Sequence, residues 1–193
     1  MNTRPRILAF AGSTRRDSFN KRLVEVAATG ARMEGAEVTL IDLRDFPLPL
    51  FDEDLERESG PPEKAIMLKT LMREHDGFLI ASPEYNSSVT AVLKNAIDWA
   101  SRSGPDEPPL AAFKGKAASL LSASPGALGG LRGLVHLRAI LGNIGVLVLP
   151  DQVTVPRAFE AFNEDGSLKN STQHASVEAL GRSLAAMIAT LKP

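Results

Sequence analysis

Cysteine is absent from this sequence, and aromatic residues make up only 5% of it. Without cysteine the chain can form no disulfide, thiol nucleophile, thiolate metal site or cysteine-ligated iron–sulfur cluster. The three histidines, His75, His136 and His174, lie far apart and show no spacing typical of metal ligands. We therefore expect no metal centre, and a reducing cytoplasm is the simplest location for the protein.

An excess of charge of one sign and long apolar runs are also lacking. The formal net charge of −1 provides no basic footprint for nucleic acid. No apolar run reaches membrane-spanning length, and the N-terminus lacks the apolar core of a signal peptide. With 44% hydrophobic residues, we expect a single domain over residues 1–193 without an integral membrane segment or a nucleic-acid partner.

Short apolar runs alternate with segments of helical periodicity. Strands are predicted at 7–11, 37–42, 77–81, 116–121 and 146–149. Helices are predicted from Lys21, at 63–74, from the 82–87 loop to about 99–101, at 131–141, and from 171 or 172. The segments 43–62 and 150–170 are predicted to be irregular, with the acidic run 52–54 in a solvated loop. This alternation predicts a doubly wound α/β fold with helices on both faces of a parallel sheet.

The loop after the first predicted strand, Gly12-Ser13-Thr14-Arg15-Arg16-Asp17-Ser18-Phe19-Asn20, has the composition of a phosphate site. The N–H groups at the start of a helix attract anions, because they lack intrahelical partners and lie at the positive end of the helix dipole. Its hydroxyls and the Asn20 amide can add hydrogen bonds, and its arginines can add charge-assisted ones. The alternative is an ordinary turn with Ser18 as N-cap and solvated arginines.

Two nucleotide-binding motifs are missing from this loop. It lacks the Gly-Lys-Ser/Thr ending of a P-loop and the G-x-G-x-x-G of a dinucleotide-binding fold. Asp42, at the end of the second strand, is therefore only a weak candidate for a ribose-binding acid. The flavodoxin-like strand order 2-1-3-4-5 is favoured instead. It brings the loops after strands one, three and four to one edge of the sheet.

The second of these loops carries a recognisable motif. Pro83-Glu84-Tyr85-Asn86-Ser87-Ser88-Val89, followed by Leu93-Lys94-Asn95-Ala96-Ile97-Asp98-Trp99, resembles the PEYN and LKNAIDW signature of NADPH-dependent FMN reductases. That family includes soluble quinone and chromate reductases. The loop from Gly12 to Asn20 resembles its G-S-x-R-x-x-S-x-N motif, and Ser124-Pro125-Gly126 with Gly129-Gly130 resembles its third loop. Thr90-Ala91 stands where the family commonly has Pro-Gly.

The resemblance implies FMN as cofactor, NADPH or NADH as co-substrate, and a quinone or similar small molecule as electron acceptor. The flavin carries this chemistry, so no catalytic side chain is expected. Glu84 is interpreted as a solvated carboxylate whose backbone alone matters, and His136 as structural. The expected cofactor-binding residues are Ser13, Arg15, Ser18, Phe19, Asn20, Pro83, Glu84, Tyr85, Asn86, Ser87, Ser124 and Gly126.

Other functions and the state of assembly stay open from the sequence alone. A flavodoxin-like electron carrier without NAD(P)H activity is one alternative, although such carriers are usually strongly acidic. A sensor of a phosphate ligand other than flavin is another. The helices after the second and third loops have broad apolar faces. With the family resemblance, they imply a homo-oligomer, dimer or tetramer, with Trp99 either capping the core or near the interface.

Overall fold

A computed structural model describes residues 4–104 and 106–191 of the chain. Its five strands form one all-parallel sheet in the order β2-β1-β3-β4-β5, as predicted. The strands are β1 (Arg6–Ala11), β2 (Glu37–Asp42), β3 (Gly77–Ala81), β4 (Ala117–Ala123) and β5 (Leu147–Val155). The three central strands are built from apolar runs, as strands covered on both faces should be.

Helices connect the strands throughout the described part of the chain. They are α1 (Phe19–Met33), α2 (Glu53–Ser59), α3 (Glu63–Glu74), α4 (Ala91–Ala100), α5 (Leu131–Asn143), α6 (Ala158–Ala161) and α7 (Ser171–Leu191), with a 3-10 turn at Leu43–Asp45. None of these helices combines the length and the hydropathy that crossing a membrane would require, in the residues described.

The two faces of the sheet carry two separate cores, because successive side chains of a strand point to opposite sides. Ile7 and Ala9 of β1 pack in the core with α1 and α7, whereas Leu8 and Phe10 pack with α3, α4 and α5. The helices after the second and third loops therefore share one face, as expected. Trp99 of α4 is also buried.

Glycine allows α1 and α7 to approach closely. A Cβ atom on Gly30 would lie 2.0 Å from the carbonyl oxygen of Glu178, and one on Gly181 would lie 1.9 Å from that of Ala27. Any larger residue at either position would push the two helices apart. This close packing secures α1, whose N-terminus lies at the functional edge of the sheet.

The segment 43–62, predicted to be irregular, contains the 3-10 turn and α2. The acidic run is not a solvated loop, since Asp52 caps α2 by accepting the N–H groups of Asp54 and Leu55. Carboxylates in a first helical turn are favoured by the helix dipole, which explains the cluster. Four prolines around this short helix obscured its periodicity.

The segment 150–170 was predicted to be irregular, but it contains the end of a strand and a short helix. β5 continues to Val155 and includes Pro150, which a strand at the edge of a sheet tolerates. Its pairing with β4 shifts register between Ala118 and Leu120. The short helix α6 follows. The remaining predicted helix boundaries lie within a few residues of those observed, with α1 beginning at Phe19 rather than Lys21.

Candidate functional site

The loops after β1, β3 and β4 meet at the carboxyl edge of the sheet. Hydrogen bonds join their first residues to the neighbouring strands: the Gly12 N–H donates to the Ala81 carbonyl, and the Ser82 N–H to the Leu121 carbonyl, both at 2.9 Å. Between the loops lies a cleft of about 180 Å³. Its lining consists of Ser13, Arg15, Ser18, Phe19, Asn20, Pro83, Glu84, Tyr85, Ala123, Ser124 and Pro125.

Most of the predicted cofactor-binding residues are therefore brought together. Asn86, Ser87 and Gly126 belong to the same loops but lie outside the lining of this cleft. Ala123 and Pro125 line it without having been predicted. Ala123 is the last residue of the apolar strand β4, and its residue type gives no signal of a place in a binding site.

The N-terminus of α1 opens into this cleft without a side-chain cap. Ser18 occupies the N-cap position with extended backbone angles, yet its hydroxyl accepts no hydrogen bond from the first turn. The residue is only 3% exposed. The Lys21 N–H donates to the Ser18 carbonyl at 3.1 Å, but the N–H groups of Phe19 and Asn20 meet no acceptor among the described residues. These two groups and the Ser18 hydroxyl can therefore bind an anion.

Three other long helices, α4, α5 and α7, begin with a first turn that a side chain fills. Thr90 accepts the Leu93 N–H at the start of α4, and Asn170 accepts the Gln173 N–H at the start of α7. The first turn of α5 is filled by the carboxylate of Glu84. Among the described residues α1 therefore differs from α4, α5 and α7, and it shares the lack of a side-chain cap with α3, which begins after Pro62 and does not line the cleft.

Arg15 lies beside the α1 N-terminus in an ordered stack. Its guanidinium lies 5.2 Å from the centroid of the Phe19 ring and donates to the Asp17 carbonyl oxygen at 2.8 Å. The Phe19 ring in turn stacks on Phe162 at 6.0 Å. Arg15 is exposed to solvent and retains further N–H donors, so it adds positive charge at the mouth of the cleft. Arg16 and Asp17 are also exposed.

Asn20 fastens α1 to the end of β4. Its side-chain N–H donates to the Ala123 carbonyl at 2.8 Å, and its side-chain oxygen accepts the Ala123 N–H at 2.9 Å. The residue is 3% exposed. A paired bond of this kind aligns the first loop with the third, and it engages the amide group that the sequence offered as a donor to phosphate.

The second loop turns sharply beside the cleft. Tyr85 and Ser88 exchange two main-chain hydrogen bonds of 3.0 Å around the central residues Asn86 and Ser87. Those two residues have φ angles of 49° and 66°, the left-handed conformation required at both centres of a type I′ turn. Asparagine tolerates this conformation well. Tyr85 is 59% exposed on the arm of the turn, where its ring is open to a ligand.

Glu84 is not a solvated carboxylate. Its side chain is 8% exposed, and its Oε1 accepts hydrogen bonds from Arg132 at 2.5 and 2.9 Å. Its Oε2 accepts the Gly133 N–H of α5 at 3.1 Å. Burial raises the pKa of the Glu84 carboxyl, but the bonds from Arg132 and Gly133 outweigh burial and lower that pKa overall.

The third loop is shaped by Gly129 and Gly130, the glycine pair of its sequence motif. Gly129 and Gly130 have φ angles of 62° and 94°, and a Cβ on Gly130 would lie 1.9 Å from the Ser122 hydroxyl. At Gly126 a Cβ would meet only the Ser124 hydroxyl, at 3.7 Å, so this position faces open space. The Ala158 N–H of α6 donates to the Ser124 carbonyl at 3.1 Å and secures the loop from behind.

A broad groove of about 720 Å³ lies on the other side of the second loop. Asn86 lines it together with the first turn of α4 and the outer face of α5. His136 of α5 bonds the Ser88 hydroxyl there at 2.9 Å. Leu131 and Val135, on the same helix, are 39% and 57% exposed, so α5 is buried on one side only in a single chain.

Comparison with known proteins agrees with this geometry. A family model described as NADPH-dependent FMN reductase matches residues 5–160. The chain belongs to this family. It is therefore a flavin-dependent NAD(P)H oxidoreductase, with FMN as cofactor and NADPH or NADH as co-substrate.

Individual members of the FMN reductase family resemble the chain over most of its length. An NAD(P)H-dependent FMN reductase of Pseudomonas aeruginosa is 37% identical over 164 residues, which cover 84% of each chain. A quinone reductase of Escherichia coli K12 is 37% identical, over 77% of this chain and 76% of its own. A solved flavoenzyme NAD(P)H:(acceptor) oxidoreductase from Paracoccus denitrificans superposes with a TM-score of 0.77 at 27% identity, covering 95% and 97% of the two chains.

Proposed function

We propose that this enzyme binds the phosphate of FMN at the N-terminus of α1 and uses NAD(P)H to reduce a quinone or a similar small acceptor. The observation that carries the proposal is the uncapped first turn of α1, which opens into the cleft between three loops. A phosphomonoester is the ligand that such N–H groups and a nearby guanidinium match best.

The first loop supplies the phosphate contacts in this proposal. The hydroxyls of Ser13 and Ser18 and the first-turn N–H groups donate to phosphate oxygens, and Arg15 adds its charge. The Phe19 ring packs against the Arg15 guanidinium through a cation–π contact. Asn20 acts differently from the expectation, because both of its polar atoms hold Ala123 in place. Its contribution is to align the first and third loops.

The second and third loops hold the ring system. Tyr85 offers an exposed aromatic surface, and the open position at Gly126 allows close approach of a flat ligand. Bound FMN supplies the redox chemistry by taking a hydride from NAD(P)H and passing electrons onward. Glu84 does not serve as a proton donor or acceptor, because Arg132 and Gly133 engage it. Its bonds instead fix the second loop against α5.

A quinone is the proposed acceptor because several relatives carry that activity in their names. These include the Escherichia coli quinone reductase and an NAD(P)H:quinone oxidoreductase of potato, Solanum tuberosum, which is 34% identical over 97% of this chain. One open cleft must then admit the donor and the acceptor in turn. Steady-state rates with NADPH and a benzoquinone should give parallel double-reciprocal lines. Intersecting lines would contradict successive use of one face.

We also propose that the protein assembles as a homo-oligomer through the outer face of α5. The exposed side chains of Leu131 and Val135 and the adjacent groove support this surface. Trp99 has another role, since it is 1% exposed and its indole N–H donates to the Pro49 carbonyl at 2.9 Å. It closes the core of its own chain, whose Phe51 packs edge-on against it at 5.0 Å.

Light scattering at micromolar concentration tests this assembly. A mass near 20.6 kDa, that of one chain, would contradict it. Ile140 lies on α5 and lines the groove. Ile140→Glu should produce monomers and weaken FMN binding, because the site would lose the wall that the neighbouring subunit provides. Ile66→Glu, at an exposed position of α3, is the matched control and should leave the mass unchanged.

The proposed location is the cytoplasm, which supplies the reduced pyridine nucleotide, and cell fractionation tests it.

A further inference from the structure

Thr90 links the end of the second loop to the beginning of the first. Its hydroxyl donates to the Gly12 carbonyl oxygen at 2.7 Å and accepts the Leu93 N–H at 3.2 Å. The side chain is almost fully buried, with the residue only 1% exposed. One hydroxyl thus caps α4 and binds the main chain of the phosphate loop, 78 residues away in sequence.

The same region is closely packed around Gly12. A Cβ atom at this position would lie 2.9 Å from Cδ2 of Leu93, so the start of the first loop rests directly on the first turn of α4. The Gly12 N–H is also engaged, since it donates to the Ala81 carbonyl at 2.9 Å. Both polar groups of the Gly12 main chain are therefore fixed, one by β3 and the other by Thr90.

The orientation of the Gly12 carbonyl determines that of the next N–H group. In a trans peptide the C=O and the following N–H point in opposite directions, and no cis peptide occurs in the described residues. Because the carbonyl faces Thr90, the Ser13 N–H points away from α4. Ser13 lines the cleft, and its N–H meets no acceptor in the part of the chain that the structure describes.

Thr14, two residues further along the same loop, is held in a comparable way. The Arg44 guanidinium, which follows β2, donates to the Thr14 carbonyl oxygen at 2.9 and 3.1 Å. The two carbonyls on either side of Ser13 are thus drawn to opposite neighbours, α4 and the end of β2. The Gly12–Ser13 peptide is fixed at its own carbonyl, and the chain is held again at the Thr14 carbonyl. The Ser13 N–H is therefore presented in a fixed direction, which is the preorganisation that a tight anion site needs.

We propose that Thr90 is a positioning residue for the flavin phosphate, because its hydroxyl holds the Gly12 peptide and so directs the Ser13 N–H into the cleft. The inference rests on the proposed function, and it assigns to Thr90 a task that proline cannot perform, since proline has no hydroxyl. Because α4 follows the second loop, the same bond also ties the phosphate end of the site to the ring end.

The competing explanation is that Thr90 only caps α4. A cap stabilises its helix but has no reason to distinguish FMN from riboflavin, which lacks the phosphate. Asn170 provides the matched control, because its side chain caps α7 by accepting the Gln173 N–H at 2.9 Å. Asn170→Ala should therefore lower stability while leaving the affinities for both flavins unchanged.

The experiment compares dissociation constants for FMN and riboflavin, measured by fluorescence titration of the apoprotein. Thr90→Val keeps the shape of the side chain and removes the hydroxyl. It should raise the FMN constant about tenfold, since a buried carbonyl loses its partner and the loop loses its fixed direction. The riboflavin constant should change less than about twofold. Thr90→Ser retains the hydroxyl and should behave as the wild type.

The possible outcomes distinguish a failure of the proposed phosphate site from a failure of the proposed role of Thr90. A wild-type protein that binds FMN no better than riboflavin would contradict the phosphate site itself. A wild type that prefers FMN, with the preference unchanged in Thr90→Val, would overturn the role of Thr90 alone. If Thr90→Val does not fold, the smaller Thr90→Ala carries the same expectation, and an unchanged preference there would overturn the role equally.

Discussion

The helices α1 and α5 both begin at the carboxyl edge of the sheet, and their first turns are occupied differently. Glu84 places a carboxylate on the Gly133 N–H of α5, whereas no side chain caps α1 at Ser18. Both first turns favour an anion, because the first N–H groups of a helix lack intrahelical acceptors and lie at the positive end of the helix dipole. The protein fills one with its own carboxylate and leaves the other available for a ligand.

This difference explains why two loops of similar chemistry have different tasks. A buried carboxylate on α5 excludes a phosphate from that helix and fixes the second loop at the same time. The uncapped α1 loses the stability that a cap would add, which is about 1 kcal/mol. Helices give up such stability where a bound group later takes the position of the cap. Substitutions at either helix test this difference.

The largest effect is expected from giving α1 the carboxylate that α5 already has. Ser18→Asp should weaken FMN binding about a hundredfold or more, because a fixed negative charge would repel the phosphate at short range. The same change should stabilise the apoprotein by about 1 kcal/mol, since aspartate is a good N-cap. Fluorescence titration and urea unfolding measure the two effects.

Ser18→Asn is the control for that substitution. Asparagine has nearly the shape of aspartate and also caps helices, but it carries no charge. It should stabilise the apoprotein similarly and weaken FMN far less. Equal losses of affinity in both variants would show that bulk at residue 18, and not charge, obstructs the ligand.

A smaller loss is expected from Arg15→Ala. Removing the guanidinium at the mouth of the cleft should raise the dissociation constant of FMN about tenfold and leave riboflavin nearly unaffected. Arg16→Ala, at the exposed neighbouring position, serves as the matched control and should change neither constant appreciably. If riboflavin weakened as much as FMN in Arg15→Ala, that residue would not contact the phosphate.

The smallest effect is expected at α5. Glu84→Gln should destabilise the protein by about 1 kcal/mol in urea unfolding at neutral pH, because Arg132 and the Gly133 N–H lose their anion. Glu160→Gln, which breaks an exposed pair with Arg157, should cost less than about 0.5 kcal/mol. An equal cost at both positions would contradict the assignment of Glu84 as the cap of α5.

The pH dependence of Glu84 has a definite sign. The folded protein lowers the pKa of this carboxyl, so its stabilising contribution is fully present above the unfolded pKa. That contribution is lost as the pH falls through the folded value. The stability difference between wild type and Glu84→Gln should therefore shrink below the ordinary glutamate pKa. A difference that stayed constant into strong acid would show that the charge on Glu84 contributes nothing.

Local sequence patterns were enough to predict the sheet and the convergence of three loops. Apolar runs such as Gly77–Ala81 mark buried strands directly, and the strand order then brings the loop after each of them to one edge. The short helices α2 and α6 gave no such signal. Each is too brief to show a helical period, and α2 lies between prolines.

The partners of the site residues could not be predicted, because they are distant in sequence. Glu84 meets Arg132, 48 residues away, and Asn20 meets the main chain of Ala123, 103 residues away. Nothing near Glu84 in the sequence distinguishes a carboxylate that caps a later helix from a solvated one. Residue types alone identified the loops. Which helix N-terminus is capped by a side chain and which is left for a ligand depends on tertiary contacts.

Amide NMR spectra of the apoprotein, titrated with FMN and separately with riboflavin, show directly whether the phosphate binds at the N-terminus of α1. The difference between the two titrations isolates the phosphate. We expect the amide signals of Ser18, Phe19 and Asn20 to shift with FMN and not with riboflavin, because phosphate bonds the first turn of α1. The amides of 131–133 in α5 should respond alike to both flavins. Phosphate-dependent shifts in α5, with α1 unmoved, would contradict the account.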